Sequence, residues 1–173
     1  KMIEEMKESG HKRPDQSSVV RNRLFDMIIG DWDRHDDQWR WAEFEGEGKH
    51  KIYRPIPRDR DQAFSIFQGP LIAIGRIFNP GIAKFQSFDE DIKKVGFFNF
   101  NARYFDRTFM NELTWEEWQT EIKYIQENLT NEVIHEGISS MQQEFYDYNG
   151  LELENNIRGR RDGLEEFAKD YYK

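Results

Sequence analysis

The spacing of apolar residues along the chain predicts a mainly helical domain. Between residues 16 and 29 the apolar side chains recur every three or four positions, at Val20, Leu24, Met27 and Ile28. Residues at this spacing share one face of an α-helix, so the segment is expected to pack that face into a core and to end at Gly30. Asp15 or Ser17 is suited to cap its first turn.

The C-terminal half carries the same helical period. Thr114 and Glu117 make a capping-box pattern, which predicts a helix from there to about residue 128. Thr130 is expected to cap the next helix, and Gly150 is expected to separate a segment over 141–148 from a last helix over 151–172. A short helix is also expected over 99–109. The positions predicted to face inward on the first of these helices are Trp118, Ile122, Ile125 and Leu129. The later helices carry the apolar residues Val133, Ile134, Ile138, Leu153, Ile157, Leu164, Phe167 and Tyr171.

A β-hairpin is predicted between Trp39 and Pro57. Aromatic and β-branched residues flank a turn over 45–49, whose glycines tolerate a positive φ. Pro55 and Pro57 are expected to end the second strand, because proline cannot donate a hydrogen bond to a sheet. An antiparallel hairpin returns the chain to its starting point, so the residues that precede it and follow it should lie side by side.

Composition predicts one α+β domain over residues 1–173, mainly α with a small β-hairpin. The chain of 173 residues shows no repeat or linker that would divide it, and it has no cysteine, which excludes disulfides and thiolate metal sites. The 25 basic and 33 acidic residues give a net charge of −8, which argues against nucleic acid as the main partner. No apolar run approaches the roughly 18 residues that cross a membrane. Residues 1–13 are expected to begin as a helix that breaks at Gly10, and 71–78 form a short apolar piece of either type.

The candidate chemistry lies in two acidic clusters at the open end of the hairpin. Carboxylates held close together repel one another unless a cation joins them, and hard cations prefer oxygen ligands. The sequence therefore predicts a small Mg²⁺ or Mn²⁺ site, with Asp33 within about 4–7 Å of Asp59 or Asp61. The clusters consist of Asp31, Asp33, Asp36 and Asp37 before the hairpin and of Asp59 and Asp61 after it.

Other metal and nucleotide motifs fail on spacing. Counted from Asp31, an EF-hand loop would need glycine at its sixth position and glutamate at its twelfth, where Asp36 and Ala42 stand. His135 and Glu136 lack the second histidine of a zinc-protease helix, so His135 is interpreted as a helix-surface residue. There is no Walker loop, dinucleotide fingerprint or Gly-x-Ser-x-Gly motif.

Two short segments resemble the site of atypical kinases. Residues 29–38, IGDWDRHDDQ, are similar to the catalytic loop of the HipA and CotH kinases, of the secretory-pathway kinases and of the type II phosphatidylinositol 4-kinases. Residues 57–64, PRDRDQAF, resemble the metal-binding segment of the same families, with Phe64 as the aromatic residue that follows the acid. The resemblance implies the C-terminal lobe of a protein-kinase-like fold.

The resemblance also implies a role for each polar residue. Asp33 would be the catalytic aspartate that orients the attacking hydroxyl, and Asp59 would hold Mg²⁺ or Mn²⁺ together with the second acid Asp61. Gln38 stands where these families have asparagine and would be the further metal ligand. The function implied is transfer of phosphate from ATP to an unidentified acceptor. Arg34 and His35 would support the loop by hydrogen bonds.

A kinase also needs a glycine-rich loop and a strand lysine that hold the phosphates. The 30 residues before Asp31 contain neither. The chain by itself is therefore expected to fold but to show no ATP turnover.

The arrangement of segments further resembles a block of cell-envelope proteins of the Bacteroidetes type. In those proteins a kinase-like region follows a calcineurin-like metallophosphoesterase domain and precedes an outer-membrane β-barrel. Residues 100–109 and 160–172 contribute to this likeness. It implies the cell envelope or periplasm as the location and a neighbouring phosphoesterase or barrel domain as partner. The alternative function is then a catalytically inactive accessory module of such a protein.

Each candidate residue also has a purely structural interpretation. Asp33 and Asp59 could cap turns or pair with Arg34, Arg58 and Arg60. Aromatic residues near the loop, Trp32, Trp39 and Trp41, are interpreted as core or hairpin-face side chains. The run Arg160-Arg161-Asp162 is interpreted as a solvated helix face.

Overall fold

The computed structural model of the chain describes residues 11–70, 72, 74, 75 and 80–173. In this part of the chain, helices predominate and a small three-stranded sheet is present, in agreement with the α+β prediction. Residues 1–10, where a helix is expected, lie outside the described residues, while residues 12–14 form a strand. Most of the apolar piece over 71–78 also lies outside the described residues. The strands are β1 (Lys12–Pro14), β2 (Trp39–Glu45) and β3 (Lys51–Pro57). The helices are α1 (Gln16–Ile29), α2 (Val95–Phe98), α3 (Arg103–Phe109), α4 (Trp115–Asn128), α5 (Asn131–Ser139), α6 (Gln143–Phe145), α7 (Leu151–Asp162) and α8 (Leu164–Tyr172), with 3₁₀ turns at 36–38, 80–84 and 100–102.

Local caps fix the ends of the long helices where the sequence predicts them. The Asp15 carboxylate accepts from the Ser18 backbone N–H at 3.0 Å, which satisfies one of the unpaired donors at the start of α1. Thr114 and Glu117 make both hydrogen bonds of a capping box at the start of α4. Thr130 caps α5 through one bond, in which its hydroxyl oxygen accepts from the Val133 backbone N–H at 3.3 Å.

The end of the chain departs from the prediction at two glycines. Gly150 does not separate two helices, because a π-helical turn over Tyr146–Gly150 joins α6 directly to α7. Glycine instead allows the close approach of the Tyr146 ring, because a Cβ at Gly150 would lie 2.4 Å from that ring. The predicted last helix is divided at Gly163, between α7 and α8.

The sheet has the order β1-β3-β2, with β1 parallel to β3 and the predicted hairpin antiparallel. Strand β1 was not predicted. Lys51 and Tyr53 direct backbone groups toward the β1 side, where Lys51 donates to His11 and Tyr53 accepts from Asp15. Because strand positions alternate, Pro55 and Pro57 face the same side beyond the end of β1. Pro55 therefore lies inside β3, which ends at Pro57, and costs no hydrogen bond of the sheet.

The core forms around α1. Its predicted apolar face is buried, and the inward faces of α4, α5, α7 and α8 pack around the same cluster. The sheet joins this core through aromatic rings, since Trp39 stacks on Phe105 with ring centroids 4.3 Å apart and Trp41 contacts Phe109 at 4.8 Å. Both hairpin tryptophans thus act as structural residues, in agreement with the prediction. No helix in the described part of the chain is long and apolar enough to cross a membrane.

One predicted surface residue is instead buried. Arg160 is 2% exposed, and its guanidinium donates to three backbone carbonyls, those of Met27, Asp89 and Asp91. Burial lowers the pKa of Arg160 to about 10, against the opposing charges of Asp89 and Asp91. The interpretation of 160–162 as a solvated helix face is therefore wrong for Arg160, which ties α7 to the end of α1. It is also wrong for Arg161, whose side chain is 13% exposed and donates to the Leu129 carbonyl at 2.9 Å, so that only Asp162 is solvated.

His135 is a surface residue with a buried partner. Its side chain is largely exposed, while Nδ1 lies 2.8 Å from the buried Glu154 carboxylate. Tyr146 and Arg158 donate to the same carboxylate. These bonds tie α5 and the π-helical turn to α7, so the cluster is a brace between helices.

Candidate functional site

The C-terminus of α1 sets the direction of the first candidate segment, residues 31–38. Gly30 has a φ of 77°, and its backbone N–H bonds to the Asp26 carbonyl, as does that of Asp31 at 2.9 Å. A Cβ at position 30 would lie 2.6 Å from the Phe88 ring. Glycine is therefore required here both by the left-handed backbone and by the close approach of Phe88.

The hairpin returns the second candidate segment, residues 58–64, to the side of the first. The Arg58 N–H donates to the Gln38 carbonyl at 2.8 Å, and the Phe64 N–H donates to the Ile29 carbonyl at 2.9 Å. The Arg34 guanidinium also donates to the Arg58 carbonyl. The second segment is thus held beside the first at Arg58 and beside the end of α1 at Phe64, so the open end of the hairpin brings the two segments together.

Beneath the two segments lies a buried arginine–aspartate network. Its centre is Asp26 on α1, whose carboxylate accepts from Arg23 at 3.0 Å and from both Arg34 and Arg60 at 3.1 Å. The network has three side chains of each charge, so a fully ionised network is neutral. That balance matters because an unpaired buried charge is costly. The network comprises Arg23, Arg34 and Arg60 with Asp26, Asp31 and Asp106.

The outer members of the network extend it toward α3 and α8. Arg23 donates to Asp106 at 2.9 Å and to the Asn99 amide oxygen at 2.6 Å. Tyr171 donates its hydroxyl to the other Asp106 oxygen at 2.6 Å. Burial raises the pKa of both Asp106 and Tyr171, although Arg23 favours the ionised form of each. The network thus connects the base of the candidate site to the C-terminal helix.

Arg34 and Asp31 belong to this network. The Arg34 guanidinium binds the carboxylates of Asp26 and Asp31 and the Arg58 carbonyl, and it is completely buried. Burial raises the pKa of Asp31 to about 6, with Arg34 opposing and Asp26 adding to the rise. Arg34 is the loop-bracing residue that the sequence predicts, whereas Asp31 is engaged by an arginine and is a poor candidate for a metal ligand.

The arginines near the candidate acids do not pair with them. Arg34 and Arg60 bind Asp26, so the alternative that Asp33 and Asp59 serve as their ion-pair partners is not observed. His35 is exposed on the loop. No bond of its ring is found in the described part of the chain, so its predicted supporting role stays a prediction.

Asp33 is half-buried and meets two residues that the sequence analysis missed. The Asn101 side-chain amide donates to Asp33 Oδ1, and the Lys84 ammonium donates to the Asn101 amide oxygen at 3.1 Å. Asn101 lies 68 positions from Asp33. No local pattern could place it there, because both residues reach the site from turns remote in sequence.

The remaining candidate ligands are not engaged by protein groups. Gln38 is buried, and its Oε1 atom has no hydrogen-bond partner among the described residues. Asp59 and Asp61 are exposed, and neither carboxylate makes a hydrogen bond or ion pair with the residues described. Asp59 and Phe64 have φ angles of 52° and 60°, a left-handed backbone that is uncommon outside glycine. Such residues cluster at functional sites, and here they flank the candidate metal segment.

The side chains of the described residues form no multi-carboxylate metal site. Within the described residues, no group of three or more acidic, histidine or cysteine side chains is placed to hold a metal ion. The cluster expected from six aspartates is thus not observed. Mg²⁺ often needs only one or two carboxylates when substrate phosphates supply further ligands. The exposed carboxylate of Asp59 and the unpaired oxygen of Gln38 are donors of that kind.

Comparison of the chain with protein-family models, with curated proteins and with solved structures found no match. The likeness to atypical kinases therefore depends on the two short motifs, and the argument for function depends on the geometry around them.

Proposed function

We propose that this chain is the C-terminal lobe of an atypical kinase-like domain that transfers phosphate from ATP to an unidentified acceptor with Mg²⁺ or Mn²⁺. The observation that carries the proposal is the junction of the two candidate segments. Arg58 bonds to the Gln38 backbone and to the Arg34 side chain, so the loop of Asp33 and the segment of Asp59 share one end of the hairpin.

Asp33 is suited to orient an attacking hydroxyl. Asn101 binds its Oδ1 atom, while Oδ2 has no partner among the described residues. A carboxylate with one oxygen fixed and the other accessible can accept a hydrogen bond from an acceptor hydroxyl and receive its proton. The half-buried position and the bond to Asn101 would hold that oxygen in a defined direction.

Asp59 and Gln38 would hold the metal, with Asp61 as a second acid. A bound Mg²⁺ or Mn²⁺ would neutralise charge on the phosphates of ATP. The backbone brings the two residues close in the fold, because Arg58, which precedes Asp59, bonds to the Gln38 carbonyl. The left-handed backbone at Asp59 then changes the direction of the chain. Gln38 in the place of the family's asparagine is longer by one methylene, which changes the position of its oxygen.

The proposal is tested by titrating Mn²⁺ against the chain with and without ATP, with free Mn²⁺ measured by electron paramagnetic resonance. We expect weak Mn²⁺ binding that ATP strengthens, and we expect the Asp59→Asn/Asp61→Asn double variant to lose the ATP-dependent part. The matched control is Glu165→Gln/Glu166→Gln, which removes two exposed acids from α8. Equal ATP-dependent binding by the two double variants would overturn the proposal.

A second candidate function is a catalytically inactive accessory module of a cell-envelope metallophosphoesterase or outer-membrane protein. The engagement of Arg34 and Asp31, both in the candidate loop, in the buried arginine–aspartate network favours it. Such a module would retain the buried arginine–aspartate network for folding and would show no Asp59-dependent gain in Mn²⁺ binding when ATP is added. The same titration therefore distinguishes the two functions.

A further inference from the structure

A lysine lies next to the candidate catalytic aspartate through one bridging amide. Lys84 closes the 3₁₀ turn over Pro80–Lys84 and places its ammonium 3.1 Å from the Asn101 oxygen. The Asn101 nitrogen donates to Asp33. An asparagine side chain has one donor end and one acceptor end, so only this orientation serves a carboxylate and an ammonium at once. The Asn101 amide therefore connects the two residues, with its oxygen toward Lys84 and its nitrogen toward Asp33.

The Lys84 ammonium retains donors that the protein does not use. It contacts the faces of Trp32 and Phe85 at 5.0 and 5.1 Å from the ring centroids. The rings attract the cation through their quadrupoles but offer it no lone-pair acceptor. Within the described residues no carboxylate lies within 4.0 Å of its nitrogen. Since an ammonium has three donors and Asn101 takes one, further donors remain for a ligand.

The bridge also keeps the two charges apart. A direct ion pair between Lys84 and Asp33 would occupy both groups, whereas the intervening amide leaves the cation and one carboxylate oxygen available side by side. This arrangement suits a reaction in which an anionic group approaches an aspartate. A phosphate beside a carboxylate is repelled, and a neighbouring cation offsets that repulsion.

We propose that Lys84 binds the phosphate group that is to be transferred next to Asp33, with Asn101 positioning both side chains. This inference rests on the proposed function, because it assigns the phosphate position of that same site. The chain would then supply one of its own cations to the phosphates, from a position after the metal segment. The sequence motifs give no indication of this residue.

The test uses magnesium tripolyphosphate as the probe and the Trp32 indole N–H as the reporter in ¹⁵N nuclear magnetic resonance. The indole nitrogen is buried and has no hydrogen-bond partner in the part of the chain that the structure describes, and the indole ring contacts Lys84, so its resonance reports on this position. We expect Lys84→Met to weaken tripolyphosphate binding by at least about tenfold, as loss of a charge-assisted hydrogen bond predicts. Lys84→Arg should retain most of the affinity. Lys93→Met is the matched control, because Lys93 is exposed and pairs with Asp89 at 3.7 Å.

An Asp59→Asn variant separates this inference from the proposed function. Weakening by Lys84→Met both with and without Mg²⁺, and by Asp59→Asn only with Mg²⁺, supports both. Weakening by Asp59→Asn alone overturns the role of Lys84 and leaves the metal site in place. Weakening by Lys84→Met alone supports the phosphate position and counts against the metal site. No perturbation of Trp32 by tripolyphosphate in the unaltered chain overturns the inference.

Discussion

Arg34 and Asp26 form a completely buried ion pair that joins helix α1 to the loop carrying Asp33. The Arg34 Nε atom lies 3.1 Å from the Asp26 carboxylate, and both side chains have 0% exposure. The same guanidinium binds Asp31 and the Arg58 carbonyl. One side chain therefore fixes the helix, the loop and the segment after the hairpin relative to one another.

Replacing Arg34 should destabilise the whole domain. Arg34→Met removes the arginine that binds Asp31 and the Arg58 carbonyl, together with one of the three arginines that bind Asp26, and removal of one partner from a buried pair costs about 3–5 kcal/mol. Arg34→Lys keeps the charge but cannot reproduce the fork of donors, so it should also cost more than about 1 kcal/mol. Urea unfolding measures both. Arg40→Met, at an exposed strand position, is the control, and equal free energies of unfolding for the Arg34 and Arg40 variants would contradict the network.

Asp31 should make stability depend on pH between about 4 and 6. Burial raises its pKa from 3.8 to about 6, so the folded protein holds a proton that the unfolded chain has lost. Stability from this group is present at low pH and is lost as the pH rises through that window, by on the order of 3 kcal/mol. Asp31→Asn cannot titrate. The free energy of unfolding of the unaltered chain, relative to that of Asp31→Asn, should therefore fall from pH 4 to 6 and stay level above it; parallel curves would refute the assignment.

Arg160 should be essential to the packing of α7 against α1. Arg160→Lys has too few donors and the wrong geometry for the carbonyls of Met27, Asp89 and Asp91, so we expect a loss of about 2–4 kcal/mol. Arg107→Lys serves as control, because Arg107 is exposed on α3. Thermal and urea unfolding of both variants give the comparison. If Arg160→Lys lowered the free energy of unfolding no more than Arg107→Lys does, the three carbonyls would have found other partners.

Two glycines in helical segments should respond in opposite directions to alanine. At Gly150 a Cβ would lie 2.4 Å from the Tyr146 ring, so Gly150→Ala must displace the ring and its bond to Glu154, at a cost of about 1–3 kcal/mol. At Gly137, inside α5, a Cβ meets nothing within 4 Å. Gly137→Ala should therefore stabilise by up to about 1 kcal/mol through helix propensity. Melting temperatures that shift in the same direction would contradict the close contact at Gly150.

The sequence by itself determined the features that depend on neighbours a few residues apart. Helix α1 follows from the spacing of its apolar residues and from Asp15, and α4 from the capping box of Thr114. The hairpin follows from its strands and its glycine turn. Such elements are encoded by periods of 3.6 and 2 residues and by side chains that bond to the adjacent backbone. The meeting of the two candidate segments follows in turn, because a hairpin brings its ends together.

Only the tertiary structure decided which polar residues are buried and what they contact. Arg160 and Arg161 lie in one charged run of the sequence, but Arg160 bonds to the Met27 carbonyl 133 positions away and Arg161 to the Leu129 carbonyl 32 positions away. Arg23 reaches Asp106 across 83 positions, and Asn101 reaches Asp33 across 68. A charged residue in an amphipathic pattern is predicted to be exposed, because its burial is favourable only when distant partners compensate for the lost hydration. The packing of α1, α3, α7 and α8 brings those partners together, and the periodicity of a single segment cannot predict them.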